Sequence, residues 1–188
     1  MGKSAQVDRH AESRMPSSDS LTPWPRLFAF AALLLFASCA GPAPYVYHYV
    51  PGKTAVLQGG YAVAPPSAPD RVLMAVAAGN RIAGLPYRYG GGHGTALDGG
   101  YDCSGATSYV LREAGLLESV MPSSELRHYG ESGPGKWITV YARRGHAFLV
   151  VAGLRFDTGW GGSDSTGPRW TTHSRPATGC VLRHPPGM

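Results

Sequence analysis

The sequence is poor in cysteine. Cys39, Cys103 and Cys180 are the three in 188 residues. The number is odd and no Cys-x-x-Cys pair exists, so neither a disulfide framework nor a zinc knuckle is supported. A long apolar run is also missing. Leu27 to Ala37 has eleven residues, too few to cross a bilayer as a helix. Nothing repeats at a period of about 20 to 50 residues, which excludes solenoids and propellers. Basic residues are scattered at a formal net charge of +5, with only Arg143 and Arg144 adjacent, so no nucleic-acid partner is expected. A mildly basic surface fits attraction to anionic cell wall or membrane, with ordinary solubilising charge as the plainer reading.

What is abundant is glycine and proline, 26 and 16 residues. They imply a loop-rich fold of short elements, one domain behind a leader. Arg26, the eleven-residue apolar run and Ser38-Cys39-Ala40 have signal-peptide proportions. Phe36-Ala37-Ser38-Cys39 resembles a bacterial lipobox, with Phe36 in place of the usual leucine. Residues 1–38 are therefore expected to be a lipoprotein-type signal peptide, with Met15 as an alternative start and a plain signal peptide as the other reading. Cys39 is the expected lipidation site. The implied location is exported, on the periplasmic side, held by a lipid anchor in the outer membrane because Ala40, not an aspartate, follows the cysteine.

Residues 39–69 read as a tether. A free chain of that length would reach roughly 30 Å, but the run Tyr45-Val46-Tyr47-His48-Tyr49-Val50 reads equally as a docked edge strand stopped by Pro51-Gly52. Gly52-Lys53-Thr54 is no phosphate loop, since Tyr47 stands where the first glycine is required. Pro65 to Asp70 marks a boundary, and residues 70–188 form the expected domain. Helical spacing of Val72, Leu73, Val76, Ala77, Asn80 and Ala83 predicts an amphipathic packing helix over Asp70–Ala83.

The chemistry centres on Tyr101-Asp102-Cys103-Ser104-Gly105. Asp102 suits an N-cap, and Cys103, Ala106, Tyr109, Val110, Ala114 and Leu117 follow helical steps, so a helix is expected from Cys103 to Leu117. A thiol at its start feels the positive end of the helix dipole, which favours an anion. A small buried cysteine is the plainer alternative. Before it, Leu85 to Gly94 is dense in glycine and tyrosine, able to bring backbone close to a ligand and to offer aromatic walls.

A nucleophilic thiol needs a base, and the base needs an orienter. Of seven histidines, His146 differs in opening an apolar run, His146 to Ala152, that reads as a central strand. It is either a hydrogen-bonded core residue or the base. With a two-residue turn at Ala152-Gly153, Val151 faces Leu154 and Leu149 faces Phe156. Asp157 then lies diagonal to His146 on one face, within reach of the imidazole. A one-residue slip would turn Asp157 away, leaving Asp164 and His173 as substitutes. His48, His128 and His184 lie in loop-like stretches. A short helix is expected near Pro122–Tyr129, strands at Trp137–Tyr141 and Thr178–Arg183, a loop at Trp160–Asp164, and Trp170 as an anchor.

Pro86-Tyr87-Arg88-Tyr89-Gly90-Gly91, followed by Asp102-Cys103-Ser104-Gly105, resembles the paired motifs of the NlpC/P60 cysteine peptidases of bacterial cell walls. The resemblance covers residues 70 to the C-terminus. It implies an α+β fold with a papain-like core, the cysteine helix packed on an antiparallel sheet. It implies cleavage of amide bonds in peptidoglycan stem peptides, most often between D-glutamate and diaminopimelate, by Cys103, His146 and Asp157. Asp157 departs from the His, Asn or Gln usual in that family. Tyr87 is implied as an oxyanion or substrate wall, and Asp102 and Ser104 as contacts to a substrate amine, although Asp102 is equally a plain helix cap. His93 either lines the cleft or is an exposed loop histidine. No metal or cofactor is implied, and the partners expected are peptidoglycan and, through the anchor, the membrane, for a monomer. The other functions kept open are a non-catalytic wall-binding lipoprotein and an amidase or acyltransferase on the same fold.

Overall fold

The structure is a computed structural model that describes residues 41–94, 97–159 and 166–188. The expected leader, Cys39 and the Trp160–Asp164 loop lie outside the described residues. The fold is α+β: three helices and two antiparallel sheets among those residues. The elements run β1 (Val56–Gln58), β2 (Tyr61–Val63), α1 (Asp70–Ile82), α2 (Cys103–Glu113), α3 (Ser123–Leu126), β3 (Glu131–Ser132), β4 (Ile138–Arg143), β5 (His146–Val151), β6 (Leu154–Asp157), β7 (Arg169–Thr171) and β8 (Val181–His184). No helix among them is long and apolar enough to cross a membrane.

The main sheet has the order β3-β8-β4-β5-β6-β7. Alternation along its strands divides the side chains between two faces. Val140, Leu149, Val151, Leu154 and Phe156 join the buried residues of α1 and α2 in the larger core. Phe148, with Tyr141 and Val150 beside it, faces the other way into a smaller cluster with Tyr45, Ala177 and Cys180. This makes β5 a central strand apolar on both faces, as its composition predicts.

The β5–β6 hairpin has the expected register, Val151 opposite Leu154 and Leu149 opposite Phe156. Its two turn residues, Ala152 and Gly153, both have positive φ, 45° and 79°. Such a turn twists in the same sense as its strands and so holds a two-residue hairpin in register.

Other boundaries move. Helix α2 ends at Glu113 and not Leu117, because Gly115 takes φ 65° and the chain closes back through Gly115 N–H to Arg112 O and Leu116 N–H to Leu111 O. This left-handed closure is a common way to end a helix. The expected short helix is confined to Ser123–Leu126. The strand expected at Trp137–Tyr141 begins and ends later, at Ile138 and Arg143. Trp170 is 3% exposed and packs on Phe156. Its ring lies where a Cβ on Gly79 of α1 would come within 2.4 Å, so the helix and β7 approach through a glycine notch.

Within the stretch read as a tether, Tyr45, Thr54, Ala55 and Ala62 are buried, while Val46, Tyr49, Val50 and Tyr61 stay exposed. Tyr45 exchanges backbone hydrogen bonds with Arg175 (2.9 and 3.0 Å), and its hydroxyl donates to Gly153 O. Tyr47 donates its hydroxyl to Ala55 O, and Val56–Val63 folds into the β1–β2 hairpin.

Candidate active site

Helix α2 begins at the thiol because Asp102 caps it. The Asp102 backbone is extended, and its Oδ1 accepts from Gly105 N–H at 2.7 Å. The glycine-tyrosine segment is laced to this start. Arg88 N–H donates to Tyr101 O, Tyr101 N–H to Pro86 O, and Asp102 N–H to Gly91 O. The approach is close enough that a Cβ on Gly105 would lie 2.0 Å from Gly91 O. Only glycine fits there without moving backbone.

In front of Cys103 lies a cleft of about 270 Å³. Its walls include Tyr87, Asp102 and Ser104, the residues the family resemblance singles out, and His93 of the glycine loop. Gly145, which precedes His146, is also on its wall. The segment Tyr45–Val50 is not: Tyr45, Val46 and His48 line a different hollow against Tyr141 and Val150. Cys103 is half-buried and free, while Cys180 is free and buried in the smaller cluster.

His146 opens β5 with its side chain 13% exposed. Its Nε2 is 2.9 Å from Asp157 Oδ1, and the Cys103 thiol is near enough to act on the titration of the same ring. With Nε2 taken by the carboxylate, Nδ1 is the nitrogen left for the thiol. Burial alone pulls the His146 pKa down. Hydrogen bonds to Asp157 and Cys103, and attraction to both, outweigh burial and leave it raised. The environment therefore favours imidazolium, the form a base takes after accepting a thiol proton.

Asp157 is fully buried and held from several sides. Thr158 N–H donates to its Oδ1 at 2.8 Å, Arg175 Nη1 to its Oδ2 at 2.6 Å, and Arg155 Nε lies 3.5 Å from Oδ2. Arg155 has no exposed surface and lies between the rings of Tyr45 and Phe148. Burial lowers its guanidinium pKa, Asp157 works against that, and Arg175 adds to it. Sequence reasoning missed both arginines. The alternation Leu154-Arg155-Phe156-Asp157 could have placed Arg155 on the face of Asp157; Arg175 arrives from beyond β7 and carries no local signal.

A second histidine–carboxylate pair sits in the cleft itself. His93 Nε2 is 3.2 Å from both Asp102 oxygens and 3.3 Å from Ser104 Oγ, while Ser104 Oγ donates to Asp102 at 2.9 Å. His93 is thus tied into the site. His173, the substitute orienter, is exposed, and Asp164 lies outside the described residues. His184 bonds Gly133 O and Glu131, at the sheet edge.

The arrangement can deprotonate a thiol, hold the resulting imidazolium and present helix N–H groups to a developing oxyanion. The first N–H groups of a helix have no partner within it. Asp102 takes those of Gly105 and Ala106, while Cys103 and Ser104 line the cleft. No protein-family model matches the chain, and no curated protein or solved structure matches it either.

Proposed function

We propose that the protein is a thiol hydrolase that cuts amide bonds in peptidoglycan stem peptides. The observation that carries the chemistry is His146 Nε2 held 2.9 Å from Asp157, with the Cys103 thiol and Gly145, the residue before His146, on one cleft. The substrate class rests on the paired motifs Pro86–Gly91 and Asp102–Gly105, which resemble those of NlpC/P60 peptidases. A cysteine helix against an antiparallel sheet is compatible with the papain-like core of that family.

In this reading Cys103 Sγ attacks the carbonyl carbon while its proton passes to His146 Nδ1. The tetrahedral oxyanion is met by N–H groups at the start of α2. The C–N bond then breaks as His146 returns the proton to the leaving nitrogen, giving a free amine and a thioester on Cys103. Water attacks the thioester, His146 takes its proton, and the C–S bond breaks to release a carboxylic acid and restore the thiol. Asp157 keeps the ring oriented and stabilises its charged form. The bond cut is the one between D-glutamate and diaminopimelate. The chain acts after export, anchored to the outer membrane through Cys39.

The test is digestion of purified peptidoglycan, with fragments weighed by mass spectrometry, for wild type and Cys103→Ala. New amine and carboxyl termini at the D-glutamyl bond should appear with wild type alone. Equal release by both proteins, or none by either, would sink the hydrolase reading. Cys39→Ala should release the protein from the membrane fraction.

A further inference from the structure

We propose that His93 sets the substrate choice of this cleft by closing the Asp102 carboxylate to a substrate ammonium, so that stem peptides with an acylated N-terminus are the ones accepted. The inference rests on the hydrolase reading above and narrows its substrate. A carboxylate beside a nucleophile, on a cleft wall, is a natural seat for a cation. Whether it can serve depends on its free lone pairs, of which an ionised carboxylate has about four.

Those of Asp102 are filled from within the chain. Gly105 N–H reaches Oδ1 at 2.7 Å, Ser104 Oγ–H reaches Oδ1 at 2.9 Å, and Gly90 N–H reaches Oδ2 at 3.0 Å. His93 Nε2 bridges both oxygens at 3.2 Å. Two of the donors are backbone, in segments whose contact leaves no room for a Cβ on Gly105, and Ser104 is buried. Gly90, His93 and Ser104 all line the cleft, but of the side-chain donors His93 is the exposed one, with a third of its side chain open. The Asp102 acceptor sites being filled, the partner an ammonium would displace is His93, which is neither backbone nor buried.

With the carboxylate filled from within, an ammonium beside it lacks a free counter-charge, whereas an uncharged amide N–H needs none. An N-acylated stem peptide offers such an N–H. Stems still joined to the glycan strand are acylated at that nitrogen, and stems freed from it are not. The substrate class is thus the glycan-attached stem.

The test uses the Cys103→Ala protein, so that binding is read without turnover. Its ligands are the tripeptide alanyl-γ-D-glutamyl-diaminopimelate with a free amine and the same tripeptide N-acetylated, titrated by calorimetry. The acetylated peptide should bind at least as tightly as the free one. Adding His93→Ala should turn the preference toward the free amine by about tenfold, since a vacated carboxylate gains a charge-assisted bond. Adding His93→Gln, which keeps an amide donor, should leave the parent preference in place. A parent that favours the free amine, or a ratio unmoved by His93→Ala in a folded variant, overturns the proposal. Binding of neither peptide overturns it as well, and fragment release from peptidoglycan by the wild type then tells whether the hydrolase reading survives.

Discussion

Two histidine–aspartate pairs flank Cys103, and they are built differently. His146 and Asp157 stand on neighbouring strands, 2.9 Å apart, with side chains 13% and 0% exposed. His93 and Asp102 stand on a glycine loop and a helix cap, 3.2 Å apart, with side chains 33% and 10% exposed. Behind Asp157 are two arginines; around Asp102 are two backbone N–H groups and a serine. The same residue types thus serve separate ends. The first pair is a histidine wedged in the sheet with a carboxylate that favours its charged form, and the second joins a loop to a helix on the cleft wall.

The sharpest way to break that comparison is to delete each histidine. His146→Ala should lower peptidoglycan cleavage by about a hundredfold or more, the usual scale for a positioned base. His93→Ala should lower it less than about tenfold on the same acylated substrate, since no proton transfer depends on it. Comparable losses in the two variants, measured as initial rates of fragment release, would erase the distinction.

The aspartates should divide between activity and stability. Asp157→Asn keeps shape but weakens the hold on imidazolium, and should cost about a hundredfold in rate. Asp102→Ala removes an N-cap and the anchor of the Gly90 loop, and should cost about 2 kcal/mol of stability by urea unfolding. Gly105→Ala should cost a similar amount, about 2 kcal/mol, because its Cβ would overlap the Gly91 carbonyl. A stable Gly105→Ala protein with an unchanged rate would show that the loop does not depend on that contact.

The smallest effect is in pH. His146 has a pKa raised above its ordinary 6.5. A group raised on folding contributes stability that is fully present below the ordinary value and lost as pH rises through the folded one. The stability advantage of wild type over His146→Gln should therefore be greatest near roughly pH 5.5 and smallest near roughly pH 9. Urea midpoints at those two pH values check the sign, and an advantage that grows with pH would contradict it.

Several parts of this molecule are written in short stretches of sequence. Asp102 before Cys103 specifies a capped helix with the thiol in its first turn. The run His146–Val151, the Ala152-Gly153 turn and the alternating strand after it carry Asp157 to the face of His146 and within 2.9 Å of it. These are legible because backbone period and turn chemistry act over a few residues. Other parts are not legible in that way. The alternating run from Tyr45 suggests docking but does not name Arg175 as the partner, and nothing near Arg175 announces its bond to Asp157. Nor does the tether-like composition of residues 39–69 announce the β1–β2 hairpin. Those contacts depend on which sheet face the helices leave open. That is decided when the core packs, since apolar burial is non-directional and selects partners by what surface remains. The sequence by itself determined the thiol, its helix and the hairpin that brings a carboxylate to His146. Only the tertiary structure decided what braces that carboxylate and what occupies the other one.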